Sequence, residues 1–163
     1  MWHDVPLASI ACRDWLAGND AITIASSVRI NSLLIGGSGD DELRSGAGSS
    51  VLLGGMGNDL LFGGNGRNIL IGGGSDELHG QGDSDILIGG STAHDRRSRA
   101  LLQILAEWAS SDSYSVRVAK ISGGIGVPSL NDSTVFDDFV QDDLFGGSLD
   151  WLFVFPKDRV HHA

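Results

Sequence analysis

The chain has 163 residues, enough for one domain or one domain with an appended subdomain, and 41% of them are apolar. A formal net charge of −10 repels phosphate backbones, which argues against nucleic-acid binding, and no apolar run is long enough for membrane insertion. A single cysteine, Cys12, excludes an internal disulfide, while 24 glycines carry a backbone entropy cost that calls for a strong compensating interaction, such as a bound metal.

Met1–Leu16 shows no pattern. Its first residues lack the basic region and apolar stretch of a conventional secretory signal. Trp2 and Trp15 are expected to cover an exposed apolar end. Ala17–Ile24 and Ser27–Ile35 then read as degenerate copies of a unit that becomes regular at Gly36, with Leu34 pointing inward. Asp20 stands 21 residues before Asp41, so the first turn is expected to be wider than the 18 residues of two units.

From Gly36 to Ile88 the chain repeats with a nine-residue period, one unit (Gly72–His79) being a residue short. Each unit opens with six small or polar residues and closes with three strand-like ones. The middle strand residue is Leu43, Leu52, Leu61, Leu70, Leu78 or Leu87. In a three-residue strand the middle side chain faces opposite to its neighbours, so these leucines form one inward column when units stack. Two units make a turn of a flattened coil, which puts alternate units above one another at about 4.8 Å.

The sixth position of the unit then forms two columns. Asp41, Asp59 and Asp76 line one edge, and Ser50, Asn68 and Asp85 line the other. Stacked carboxylates repel unless a cation lies between them, and oxygen donors without His or Cys select calcium over zinc. The first edge is therefore expected to bind calcium better, since Ser50 and Asn68 supply no charge.

These units resemble the repeats-in-toxin (RTX), or hemolysin-type calcium-binding, family, whose nonapeptide is Gly-Gly-x-Gly-x-Asp-x-U-x with U a large aliphatic. The resemblance implies a parallel β-roll of solenoid form, with calcium held between successive loops. Its ligands would be Asp41, Asp59, Asp76 and Asp85, with Asn68 and the loop residues Gly36, Gly37, Gly39, Gly54, Gly55 and Gly57; the wider first turn makes Asp20 either a further ligand above Asp41 or a turn acid. It also implies a secreted, extracellular or surface location, and export as an unfolded chain through type I secretion machinery. Ser45, Gln81 and Asp83 depart from the pattern and put the second edge in doubt. Asp40, Glu77 and Asp83 are expected to be solvated loop acids rather than ligands.

After Gly90 the pattern changes. Ala93–Ala109 carries Leu101, Leu102, Ile104, Leu105 and Trp108 at helical spacing, with Ser91 or Thr92 as its cap, and Asp112–Ile121 reads as a second helix. Arg96, Arg97 and Arg99 form the one basic cluster, read as a solvated face or a recognition surface. Ser122–Pro128 is a loop without the Lys-Ser/Thr of a phosphate cradle. Asp137–Phe145 and Gly146–Phe153 return to the repeat pattern with Leu144 and Leu152 inward, and Asp142 and Asp150 are candidates for a further shared calcium site.

The expected layout is four segments. Residues 1–35 form degenerate turns and a cap, 36–90 the calcium-binding roll, 91–121 a helical insertion on or near its end, and 122–163 closing repeats and a tail. The fold class is mainly β. No His-Glu-x-x-His or Gly-x-Ser-x-Gly motif occurs, His79 falls at an outward strand position, and His94-Asp95 has no nucleophile beside it, so no enzyme activity is expected. The expected function is a calcium-binding module that folds on binding the ion. The alternatives are the accessory or secretion domain of a secreted enzyme, or an adhesion module with an unknown protein partner.

Overall fold

The computed structural model describes residues 9–13 (as backbone), 17–82 and 84–162. The expectations for Trp2, Trp15 and Asp83 lie outside the described residues. In chain order the elements are β1 (Ser9–Arg13), β2 (Ala21–Thr23), β3 (Asn31–Ser38), β4 (Glu42–Arg44), β5 (Ser50–Met56), β6 (Leu60–Phe62), β7 (Ile69–Ile71), β8 (Glu77–His79) and β9 (Ile86–Ile88). Then come β10 (Ser91–Thr92), α1 (Ser98–Trp108), α2 (Tyr114–Gly123), β11 (Val135–Phe136), β12 (Asp143–Gly146), β13 (Trp151–Phe153) and β14 (Arg159–His162). No helix among the described residues is long and apolar enough to cross a membrane.

Alternate strands stack into two six-stranded parallel sheets, ordered β1-β3-β5-β7-β9-β13 and β14-β12-β8-β6-β4-β2. The protein is thus mainly β with parallel sheets and two helices, an arrangement consistent with a β-roll. Register follows the leucines: Leu34 pairs with Leu52, Leu52 with Leu70 and Leu70 with Leu87 in one sheet. In the other, Leu43 pairs with Leu61, Leu61 with Leu78 and Leu78 with Leu144. Leu34, Leu43, Leu52, Leu61, Leu70, Leu78, Leu87 and Leu144 are fully buried in one cluster between the sheets. Burying each contributes roughly 1.5–3 kcal/mol against the ordering of a glycine-rich chain.

The outward positions separate the two sheets. The first presents Leu33, Val51, Leu53, Ile69, Ile71, Ile86 and Ile88, all buried in a second cluster with Leu101, Ile104, Leu105 and Trp108 of α1 and Ile121 of α2. Both helices thus contribute to the apolar cluster on the outer face of this sheet, where β3, β5, β7 and β9 are aliphatic and need an apolar partner. Trp108 anchors them: its Nε1 donates to the Ser84 carbonyl (2.9 Å), and the Arg117 guanidinium lies 4.6 Å from its ring centroid.

The helix limits also differ from those expected. Ser91–Thr92 pair antiparallel with Val135–Phe136, and the Thr92 amide and hydroxyl both donate to Asp95, so residues 92–97 form a turn. α1 accordingly begins at Ser98, capped by neither Ser91 nor Thr92. α2 ends at Gly124, whose φ of +66° reverses the chain at low cost.

The second sheet stays uncovered and solves its outer face differently. Arg44 lies 3.7 Å from the Phe62 ring centroid, and Phe62, His79, Phe145 and His161 continue as a stack with centroids 4.7, 4.3 and 4.3 Å apart. His79 is thus sandwiched between two rings rather than free in solvent, and its Nε2 meets Glu77 at 2.6 Å. Phe145→Ala removes two of these contacts. At about 0.5–1.5 kcal/mol per aromatic pair, it should lower stability by about 1–3 kcal/mol in urea unfolding, with the helices still docked.

Candidate metal centre

The loops joining the sheets line two edges. On the first, each aspartate's backbone amide donates to the Oδ1 of the aspartate one turn later. Asp20 donates to Asp41 (2.8 Å), Asp41 to Asp59 (2.8 Å), Asp59 to Asp76 (2.7 Å) and Asp76 to Asp142 (2.8 Å), with a longer bond from Asp142 to Asp158 (3.4 Å). The column expected of Asp41, Asp59 and Asp76 is formed, and it runs further in both directions. One carboxylate oxygen per rung is committed to this ladder. The other, Oδ2, is buried and without a hydrogen-bond partner on Asp59 and Asp142, while that of Asp76 accepts from Gly74 N at 2.8 Å.

The glycines make room for this. Gly36, Gly54 and Gly72 lie against Oδ2 of Asp41, Asp59 and Asp76, and a Cβ on any of them would overlap that oxygen. Gly55 and Gly57 (φ +116° and +138°) pack on the carbonyl oxygens of Gly37 and Gly39 one turn earlier. Carboxylate and carbonyl oxygens therefore crowd one edge without side chains between them. A cleft of about 280 Å³ opens this edge to solvent at Asp59, Asp76 and Gln141.

Burial pushes the carboxyl of Asp59 up to about 6, with the charges of Asp41 and Asp40 adding to it. Burial pushes Asp76 up to about 8, against hydrogen bonds from Asp59 and Gly74, with repulsion from Asp59 and Asp142. Asp142 rises to about 7, again through burial first and then through Asp138 and Asp158. In the folded chain these groups bind protons more tightly than in the unfolded chain, where the reference value is 3.8. The metal-free fold should therefore gain stability as pH falls from about 8 towards 4 and lose it as pH rises through the folded values. In chelator, strand signal by circular dichroism should be greater at pH 5 than at pH 8, and calcium should bind more weakly at pH 5.

The second edge is built alike but closes on itself. Ser50 N donates to Asn68 Oδ1 (2.9 Å), Asn68 N to Asp85 Oδ1 (2.6 Å) and Asp85 N to Asp150 Oδ1 (2.8 Å). The Ser32 and Ser50 hydroxyls bond each other at 2.6 Å, and Asn68 Nδ2 donates to Gly66 O at 2.7 Å. Hydroxyl and amide groups thus carry their own donors where the first edge has bare carboxylate oxygens. Burial pushes Asp85 up to about 8 at the charged end of this column, where Asp150 repels it. Asp142 and Asp150 fall on opposite edges, so they do not share a site. The phase of the two edges separates them.

Other expected positions are dispersed. Asp40 is exposed and accepts from Asn58 N (2.9 Å). Glu77 is exposed on β8 rather than in a loop. His94 bonds the Ser129 carbonyl at 2.9 Å, while Asp95 serves Thr92, so the two do not form an oriented pair. Arg96, Arg97 and Arg99 are exposed on the turn and first residues of α1. Sequence reasoning misses Asp158, because Val154-Phe155-Pro156-Lys157 before it has no glycine signature.

No three His, Cys, Asp or Glu side chains converge to hold a metal among the described residues. A cation on the first edge must therefore draw on backbone carbonyls together with one or two carboxylates. That donor set suits calcium, which takes six to eight oxygens in flexible geometry. The residues fit: Asp41, Asp59 and Asp76, with the loop carbonyls of the Gly36–Gly39 and Gly54–Gly57 turns, would hold it. When bound, calcium supplies the positive charge that these stacked acids lack.

Stacked glycine-rich loops with aspartate columns between parallel sheets define a calcium-binding repeat architecture. The family model described as the RTX calcium-binding nonapeptide repeat matches in four copies, over residues 35–70 and 72–92. Residues 35–92 are thus RTX repeats, whose family binds calcium and typifies secreted bacterial proteins. No curated protein and no solved structure matches the chain.

Proposed function

We propose that this chain is a noncatalytic calcium-binding module of a secreted or surface bacterial protein, a solenoid-like β-roll that folds when calcium fills its first edge. The observation that carries the reading is the continuous aspartate column, with the Oδ2 atoms of Asp59 and Asp142 buried and unpartnered. Such oxygens are costly to bury in charged form unless a cation meets them. Residues 36–90 are the working roll, 1–35 its first turns, 91–121 the helical cover and 122–163 the closing segment. Export through type I secretion machinery suits a chain that stays open where calcium is scarce.

Calorimetric titration of the full chain tests this. Calcium should bind at several sites in the submillimolar to millimolar range, whereas magnesium, which demands tighter octahedral geometry, should give little heat at the same concentrations. Asp59→Asn should weaken calcium uptake clearly, and Asp40→Asn should leave it nearly unchanged. A titration without calcium uptake at millimolar concentrations would overturn the assignment.

A further inference from the structure

The matched repeats end at residue 92, but the first-edge column does not. Gly89 lies against Asp142 Oδ2 as Gly36, Gly54 and Gly72 lie against Asp41, Asp59 and Asp76. Gly90, the next residue, packs on the Phe136 carbonyl of β11, within the insertion, where Gly55 and Gly73 pack on the equivalent glycine one turn earlier. One loop of the column is therefore made of two pieces. Gly89 and Gly90 supply its opening, Asp142 its sixth position, and residues 91–141, with both helices, are spliced between them.

Resting on the calcium-binding reading above, we propose that this divided loop is itself a divalent-cation site, and that the bound cation staples the two ends of the helical insertion to the roll. The Asp142 side chain belongs to a residue only 1% exposed, and its Oδ2 is buried without a hydrogen-bond partner. Its other oxygen accepts from Asp76 N, so the free oxygen faces the divided loop at Gly89. Asp138, four residues before Asp142, has a buried Oδ2 with no partner and acts electrostatically on Asp142, while Asp158 acts on it both by its charge and through a side-chain contact. Asp138 and Asp158 thus add negative potential around Asp142 where the insertion rejoins the column, with no basic side chain among the described residues bonded to Asp142, and the remaining ligands would be loop carbonyls. Calcium fits this oxygen-only setting. Its binding couples Gly89–Gly90 to a segment about fifty residues later, which no intact nonapeptide does.

Calcium stoichiometry and amide exchange of the full chain decide the matter. Asp142→Asn should bind one calcium fewer than the natural chain, with exchange across residues 91–141 faster by about ten-fold at ten-fold excess calcium. Binding by the rest of the column should persist. Asp138→Asn, partly exposed and outside the ladder, should weaken one site and loosen the same segment. Should Asp142→Asn fail to fold, Asp138→Asn decides alone. A natural chain that takes up no calcium would sink the parent reading. A natural chain that binds calcium, with variants of unchanged stoichiometry, affinity and exchange, would overturn only the staple.

Discussion

Withdrawal of calcium is expected to abolish most of the strand signal of this protein. In chelator the first edge holds a run of aspartates from Asp20 to Asp158 on successive rungs, each bonded to its neighbour's amide and repelling its neighbour's charge. At about ten-fold excess over a dissociation constant near 10⁻⁴–10⁻³ M, each calcium contributes roughly 1.4 kcal/mol. Two to four ions then give on the order of 3–6 kcal/mol, comparable to the whole stability of a small domain. Circular dichroism should report a largely unordered chain in chelator and a cooperative return of strand signal on calcium addition, with magnesium ineffective. Full strand signal in excess chelator at pH 8 would remove folding on binding from the account while leaving calcium binding itself to calorimetry.

The largest single-residue effect is expected of Gly57→Val. Its backbone has φ +138°, and an added Cβ would overlap the Gly39 carbonyl directly beneath it. A β-branched side chain can satisfy neither condition without prising two rungs apart, and those rungs carry Asp41 and Asp59. The cost should exceed about 4 kcal/mol, enough to unfold the chain at calcium concentrations that fold the natural one. Gly126→Ala separates crowding from backbone strain. Gly126 also has positive φ (+77°), but a Cβ there would meet nothing within 4 Å, so only the conformational penalty of about 1–2 kcal/mol applies. Thermal melts of the two variants in millimolar calcium should therefore differ sharply. Equal melts would mean that the close approach of the loops is not what confines those positions to glycine.

Much of this architecture is readable from periodicity, because a nine-residue unit with one aliphatic strand centre leaves little freedom. The inward leucines, the two sixth-position columns, and the return of Leu144 and Leu152 after the helices all follow from phase, and Leu144 pairs with Leu78 and Leu152 with Leu87. The position of the helices is harder to read, although a signal exists. The residues flanking the central leucine are Val51 and Leu53, Ile69 and Ile71, and Ile86 and Ile88 in alternate units. The intervening units have Glu42 and Arg44, Leu60 and Phe62, and Glu77 and His79, polar in two of the three. That alternation marks one sheet as covered and the other as wet. The divided loop is not legible, since Gly89 and Asp142 are too far apart for any short motif. The Thr92–Asp95 turn resembles a helix cap in sequence, and only its pairing with Val135–Phe136 shows otherwise.

The aspartate ladder has a polarity. Each sixth-position amide on the first edge takes its acceptor from a rung encoded later in the chain, never from an earlier one. A polypeptide ordering itself from its tail would lay down each acceptor before the donor that needs it. One ordering itself from its head would lay down each donor first. Either way one open partner sits at the advancing tip, a carboxylate in the first case and an amide in the second, so the two ends of the column differ in hydrogen-bonding character.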